Sequence, residues 1–114
     1  MLVSDDPALR EDVDYSIPQG AELVTADDAR QGFASAQAQT PSVVIVDLQC
    51  GSAGGFSLAH DMRDDPALTH VPIFLLLERS NDVWLAKQSG ANAWATKPID
   101  GHRLVRATLE LLPR

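Results

Sequence analysis

Cysteine is nearly absent from this chain: Cys50 is the one thiol in 114 residues. A single cysteine excludes an intramolecular disulfide and leaves neither a C-x-x-C pair nor a Cys/His cluster for a metal. The cytoplasm, kept reducing, is the simplest setting. Long apolar runs are missing too. No stretch approaches the ~20 residues needed to span a bilayer, and the amino terminus has no basic region leading into an apolar one. Neither a membrane partner nor secretion is expected. Cations are outnumbered, with 9 Lys and Arg against 16 Asp and Glu, for a net charge of -7. Direct nucleic-acid binding requires a basic face, so it is not the expected activity. Aromatic residues make up only 5% of the chain while hydrophobic residues reach 45%. The core is expected to be aliphatic.

What the sequence does contain is an alternation of short apolar segments and helical patterns, which is the sign of a doubly wound α/β sheet. At this length, residues 1–114 read as one domain able to bury roughly two-thirds of its unfolded surface. Strands are expected near residues 1–4, 21–25, 42–47, 71–77 and 92–96, with helices between them. Asp6 is placed to cap the first helix with Pro7 at its first position, Asp27 or Thr25 the second, and Asp100 a last helix running through Leu112. In that last helix Leu104, Val105, Thr108, Leu109, Leu111 and Leu112 recur at helical spacing opposite Arg103, Arg106 and Glu110, so its apolar stripe is expected to pack on the sheet. Pro18 and Gly20 end the first helix early. The pentapeptide Asp-Asp-Pro-Ala-Leu occurs at 5–9 and 64–68, but each copy reads as a helix start rather than a repeat unit.

The run Val43-Val44-Ile45-Val46-Asp47 is apolar on both faces, as strands covered by helices on both sides are. Ligands and chemistry in open sheets of that kind gather outside the carboxyl ends of the strands, which is where Asp47 falls. Taken alone, Asp47 is equally read as a loop start or a helix cap. Two further apolar segments end similarly, Met1-Leu2-Val3 before Ser4-Asp5-Asp6-Pro7 and Ala93-Trp94-Ala95-Thr96 before Lys97-Pro98. Asp5, Asp47 and Lys97 are therefore expected at one sheet edge. Carboxylates about 4 Å apart repel by roughly 4 kcal/mol at an effective dielectric near 20, which favours a divalent cation between them. Magnesium suits such a site because it takes one or two carboxylates and keeps waters and a phosphate. The lysine is suited to act as a point charge on a phosphoryl oxygen.

At these residues the chain resembles the receiver domain of two-component response regulators. The likeness runs over nearly all of it: the acidic cluster with Pro7 and Arg10, Asp47 after the third strand, Gly55 in the following loop, Val71-Pro72-Ile73 opening the fourth strand, and Gly90-Ala91 before Trp94-Ala95-Thr96-Lys97-Pro98. The resemblance implies a flavodoxin-like, five-stranded parallel sheet in the order 2-1-3-4-5 with helices on both faces. It implies Asp47 as phosphoacceptor, Lys97 as the phosphate-contacting lysine, and magnesium held by Asp5, Asp47 and the Gln49 backbone carbonyl, with Asp6 as a substitute ligand if the register slips by one residue. It also implies a histidine kinase or phosphotransfer protein as donor. The effector domain or partner protein would then lie outside this chain, and a homodimer is compatible with the family.

Several positions depart from the family pattern. Ser4 stands where a second acid is usual, and Cys50-Gly51 follows in place of the usual residues after Asp47, so a more mobile loop is expected from Gln49 to Gly55. Beside an acidic site the Cys50 thiol is expected to be unreactive. Leu77-Glu78 replaces the small hydroxyl residue and the small apolar one at the end of the fourth strand. A leucine cannot donate to a phosphoryl oxygen. A charge-assisted hydrogen bond is worth roughly 1.5–3 kcal/mol, against about 5.5 kcal/mol needed to move a switch from mostly off to mostly on. Glu78 adds negative charge near the pocket. Trp94 occupies the switch position where Tyr or Phe is usual, and reads either as a switch that needs more room or as a fixed aromatic at an interface. These departures support an alternative, a pseudo-receiver that works as a phosphorylation-independent protein interaction module of a larger protein.

Enzyme readings are weaker, and the chain is not expected to be an enzyme. The glycines from Gly51 to Gly55 lack the Gly-Lys-Ser/Thr of a P-loop, His60, His70 and His102 are far apart in sequence, and a haloacid dehalogenase-type phosphatase would have an Asp where Gln49 stands. The chain opens at Met1 almost on its first strand, so residues before it are expected. Its end at Pro113-Arg114 fits either a separate receiver or part of a longer protein.

Overall fold

The computed structural model describes residues 1–48 and 54–112. Five strands, β1 (Leu2–Val3), β2 (Thr25–Ala26), β3 (Val44–Asp47), β4 (Ile73–Leu77) and β5 (Ala93–Thr96), alternate with the helices α1 (Pro7–Ser16), α2 (Ala29–Ala38), α3 (Gly55–Asp64), α4 (Val83–Gln88) and α5 (Gly101–Leu109). All strand pairings are parallel, and the order is β2-β1-β3-β4-β5. The sheet is the one expected from the alternation and the family likeness.

Side-chain alternation along the strands divides the core into two layers. Val3, Val44, Val46, Ile73, Leu75 and Leu77 point to one face and pack with Leu58, Ala59 and Met62 of α3 and Ala36 of α2. Leu2, Ile45, Phe74 and Leu76 point to the other and pack with Val13 of α1 and Leu104 and Val105 of α5. β3 and β4 are buried along their whole length. Burial on both faces is what permits an unbroken apolar strand, and it leaves Asp47 as the buried polar end of such a run.

Helix starts follow local chemistry. Asp6 Oδ1 accepts from the Ala8 amide at 3.0 Å with Pro7 in the first turn, and Asp100 Oδ1 accepts from the Arg103 amide at 2.8 Å. α2 is capped by Asp28, which accepts from the Gln31 amide at 2.8 Å, rather than by Asp27 or Thr25. Thr25 is in β2, and the Asp27 carboxylate is drawn away by the Arg10 guanidinium.

Four expectations need correction. The second strand is confined to Thr25–Ala26, not 21–25, because β1 offers only Leu2 and Val3 for it to pair with. The last helix stops at Leu109, and Leu111 and Leu112 close it with turn-type bonds to Thr108 and Leu109. Leu104 is fully buried, but Leu109 is 37% exposed, at the rim of the packed stripe rather than within it as its spacing implied. Gly55 lies in α3 rather than in a loop. A Cβ there would meet Leu48 Cδ2 at 2.5 Å and Val46 Cγ1 at 2.7 Å, so glycine lets the helix start against the end of β3. The loop expected to be mobile, with Gln49 and Cys50, lies outside the described residues save for its last two glycines.

Candidate functional site

Asp47 ends β3 with 1% of its side chain exposed. A buried carboxylate is costly unless it is paired and hydrogen-bonded, and Asp47 is both. Lys97 Nζ, from just beyond β5, lies 3.0 Å from Asp47 Oδ1. Ser4 Oγ, just beyond β1, donates to Asp47 Oδ2 at 2.8 Å and accepts from the Asp6 amide at 3.1 Å. The carboxyl ends of β1, β3 and β5 thus meet around one carboxylate.

Lys97 has a second anionic partner. Glu78 Oε1 approaches its ammonium to 2.6 Å. Oε1 is buried, and it has no other hydrogen-bond partner among the described residues. Strand register explains the meeting: Leu77 is paired with Thr96 and the Lys97 amide donates to the Leu77 carbonyl at 2.8 Å, which sets Glu78 beside Lys97. Burial alone would lower the Lys97 pKa, but the contacts with Glu78 and Asp47 outweigh it and leave the ammonium above its ordinary value. The Lys97-Pro98 peptide is cis.

Asp5 is exposed, one residue past Ser4. From this strand end it is the Ser4 hydroxyl, not an Asp5 oxygen, that is hydrogen-bonded to Asp47. Asp6 is exposed and its Oδ1 is used as the α1 cap, so no slip of register carries it onto Asp47. Gln49 lies outside the described residues. Leu77 is fully buried in the layer beneath α3, and Trp94, partly buried, packs against the same layer from β5. Arg10 ties the β1 end in place: its Nε donates to the Ser4 carbonyl at 2.6 Å while its Nη2 pairs with Asp27. His60, His70 and His102 are all exposed.

Sequence reasoning treated Ser4 as a missing acid and Glu78 as a diffuse repulsion. It missed the direct bonds that Ser4 makes to Asp47 and Glu78 makes to Lys97. The first had a signal in the polar residue that follows an apolar strand end. The second needed the β4/β5 register, which residue pattern alone does not fix.

The donor set is compatible with magnesium. Among the described residues no group of three or more His, Cys, Asp and Glu is gathered to hold a metal ion, but magnesium needs only one or two carboxylates with water and phosphate oxygens. Asp47 is one such carboxylate, and Asp5 is exposed one residue past Ser4 at the neighbouring strand end.

The family model for the response regulator receiver domain matches residues 1–109. The transcriptional regulatory protein CseB of Streptomyces coelicolor is 32% identical over 117 aligned positions, covering 100% of this chain and 49% of that protein. The chain therefore spans about half the length of the curated relatives it matches over its full extent. The chemotaxis response regulator CheY4 of Vibrio cholerae superposes with a TM-score of 0.88 at 26% identity, over 97% of this chain and 95% of that one. The receiver domain of the sensor histidine kinase PA1611 from Pseudomonas aeruginosa, whose structure has magnesium coordinated in its active-site cleft, has the same fold, with a TM-score of 0.84 at 23% identity over 96% of this chain and 92% of that one. With the sheet order, the strand-end carboxylate and its lysine already in place, the chain belongs to the response regulator receiver domain family.

Proposed function

We propose that residues 1–114 form a receiver that takes a phosphoryl group on Asp47 from a histidine kinase or phosphotransfer protein and signals by a change of conformation. The observation that carries this is the buried Asp47 carboxylate with Lys97 Nζ 3.0 Å from it at the carboxyl edge of the sheet. An Asp47 oxygen attacks phosphorus, the phosphorus–nitrogen bond of the donor phosphohistidine breaks, and its electron pair remains on the imidazole. Lys97 neutralises charge on the phosphoryl oxygens, and Ser4 holds Asp47 in a fixed orientation. Asp5 and Asp47, with the Gln49 carbonyl, would hold magnesium. Bound there, the cation would supply charge neutralisation for the phosphoryl oxygens.

The effector domain or partner protein is assigned to sequence outside this chain, in keeping with the greater length of its relatives. A cytoplasmic site, no direct contact with nucleic acid, and signalling rather than enzymatic turnover complete the reading. It is supported by the net charge of -7, and among the described residues no helix is long and apolar enough to cross a membrane.

A second reading, a phosphorylation-independent interaction module, is favoured by two observations: Leu77 fills the core where a hydroxyl is usual, and Glu78 is already on Lys97. Incubation with acetyl phosphate and magnesium followed by mass spectrometry separates the two. A phosphoryl adduct on Asp47, absent from Asp47→Asn, supports the receiver reading. Its absence from the unsubstituted protein supports the module.

A further inference from the structure

We propose that Glu78 is a positioning residue that competes internally for Lys97: its carboxylate holds the ammonium before phosphorylation, and the phosphoryl group on Asp47 must displace it. The inference rests on Asp47 being the phosphoacceptor. Lys97 Nζ is 2.6 Å from Glu78 and 3.0 Å from Asp47, so the nearer partner is not the acceptor. Two carboxylates against one ammonium leave the trio with a net negative charge, into which an anionic phosphoryl donor must come.

Nothing else in the described structure fastens the Glu78 oxygen that faces Lys97. Oε1 is buried against the ammonium with no other hydrogen-bond partner, while the side chain as a whole is 32% exposed, so a rotation of the side chain is enough to carry that oxygen into water. A phosphoryl group on Asp47 carries more charge than one carboxylate and takes the ammonium from it. The released residue directly precedes Arg79 and the short 3-10 turn Ser80–Asp82 that leads into α4. Glu78 thus gives the site a mobile part that Leu77, fully buried in an apolar layer, does not provide.

The test is the time course of Asp47 labelling by acetyl phosphate with magnesium, followed by intact mass, for the unsubstituted protein, Glu78→Gln and Glu78→Asp. In each turnover an Asp47 oxygen bonds to phosphorus, the phosphorus–oxygen bond to the acetyl group breaks, and acetate leaves with the electron pair. Glu78→Gln, which removes the competing charge at nearly constant shape, is expected to label roughly tenfold faster. Glu78→Asp keeps the charge and is expected to return the rate toward that of the unsubstituted protein, which a merely structural role would not require. Equal rates, with the adduct on Asp47 in all three, overturn the competition and leave the acceptor reading intact. No adduct on any of the three, each with a cooperative unfolding transition, overturns both.

Discussion

Ser4 Oγ donates to Asp47 Oδ2 across 2.8 Å, and both residues are buried. A neutral hydroxyl thus stands beside the acceptor where the family pattern places an acid. Ser4→Ala removes that donor and also the acceptor of the Asp6 amide, leaving buried groups unsatisfied. The expected loss is about 1–3 kcal/mol of unfolding free energy, read from the urea midpoint at an unchanged slope. Ser4→Asp is expected to act oppositely on metal and fold. It adds a carboxylate against Asp47, lowering stability without magnesium and raising magnesium affinity, which a titration followed by tryptophan fluorescence will measure.

The Lys97 ammonium is the counter-charge of a buried carboxylate, and its pairing makes stability depend on alkaline pH. Burial lowers its pKa and the contacts with Glu78 and Asp47 raise it, with a net rise above the ordinary 10.5. The folded state therefore holds this proton more tightly than the unfolded chain. Its contribution is fully present below the ordinary value of 10.5 and is lost as pH rises through the folded value. Denaturant midpoints taken from neutral to strongly alkaline pH should fall in that upper window. In Lys97→Met that part of the fall should be missing, from a starting stability already lowered by about 3 kcal/mol through loss of the ammonium that faces the buried Asp47.

At the opposite edge of the sheet, Arg63 holds two loops, the one before β4 and the one before β5, with one guanidinium. Its Nε donates to the Gly90 carbonyl at 2.8 Å, its Nη1 to the Thr69 and Val71 carbonyls at 2.8 Å, and its Nη2 to Asn92 Oδ1. A lysine cannot reproduce this planar fork. Arg63→Lys is expected to cost about 2 kcal/mol or more and to speed amide exchange at Val71 and Ile73, with little effect on Asp47 labelling.

Legibility in the sequence followed the distance over which each feature is decided. β3 and β4 were plain because burial on both faces demands an unbroken apolar run, and α1 and α5 because Asp6 and Asp100 carry their caps in adjacent residues. The edge strand β2 was misplaced because its extent is set by β1, a partner more than twenty residues away. The cap of α2 passed from Asp27 to Asp28 through a tertiary contact with Arg10. At the site, the pairing of Asp47 with Lys97 followed from two strand ends in a parallel sheet. The Glu78 contact depends on the register of β4 against β5, and the Ser4 contact on a hydroxyl rotamer, neither of which local pattern encodes.

Leu77 is expected to limit how far phosphorylation of Asp47 reaches Trp94. The two sit on one face, Leu77 fully buried and Trp94 packed against the same layer, with Trp94 paired in register to Leu75. Leu77→Thr removes apolar volume from that layer and introduces a hydroxyl, so the resting protein is expected to lose about 2–4 kcal/mol of stability. The same change opens room beneath Trp94 and supplies a donor next to the strand end that carries Asp47. Combined with Glu78→Ala, which frees Lys97, it should lengthen the lifetime of the phosphoryl group and enlarge the accompanying change in Trp94 emission. Trp84, 66% exposed on α4, contributes a background that Trp84→Phe removes. If the unsubstituted protein already gives a large phosphorylation-dependent Trp94 signal that the double change leaves as it was, Leu77 is not what restrains the aromatic.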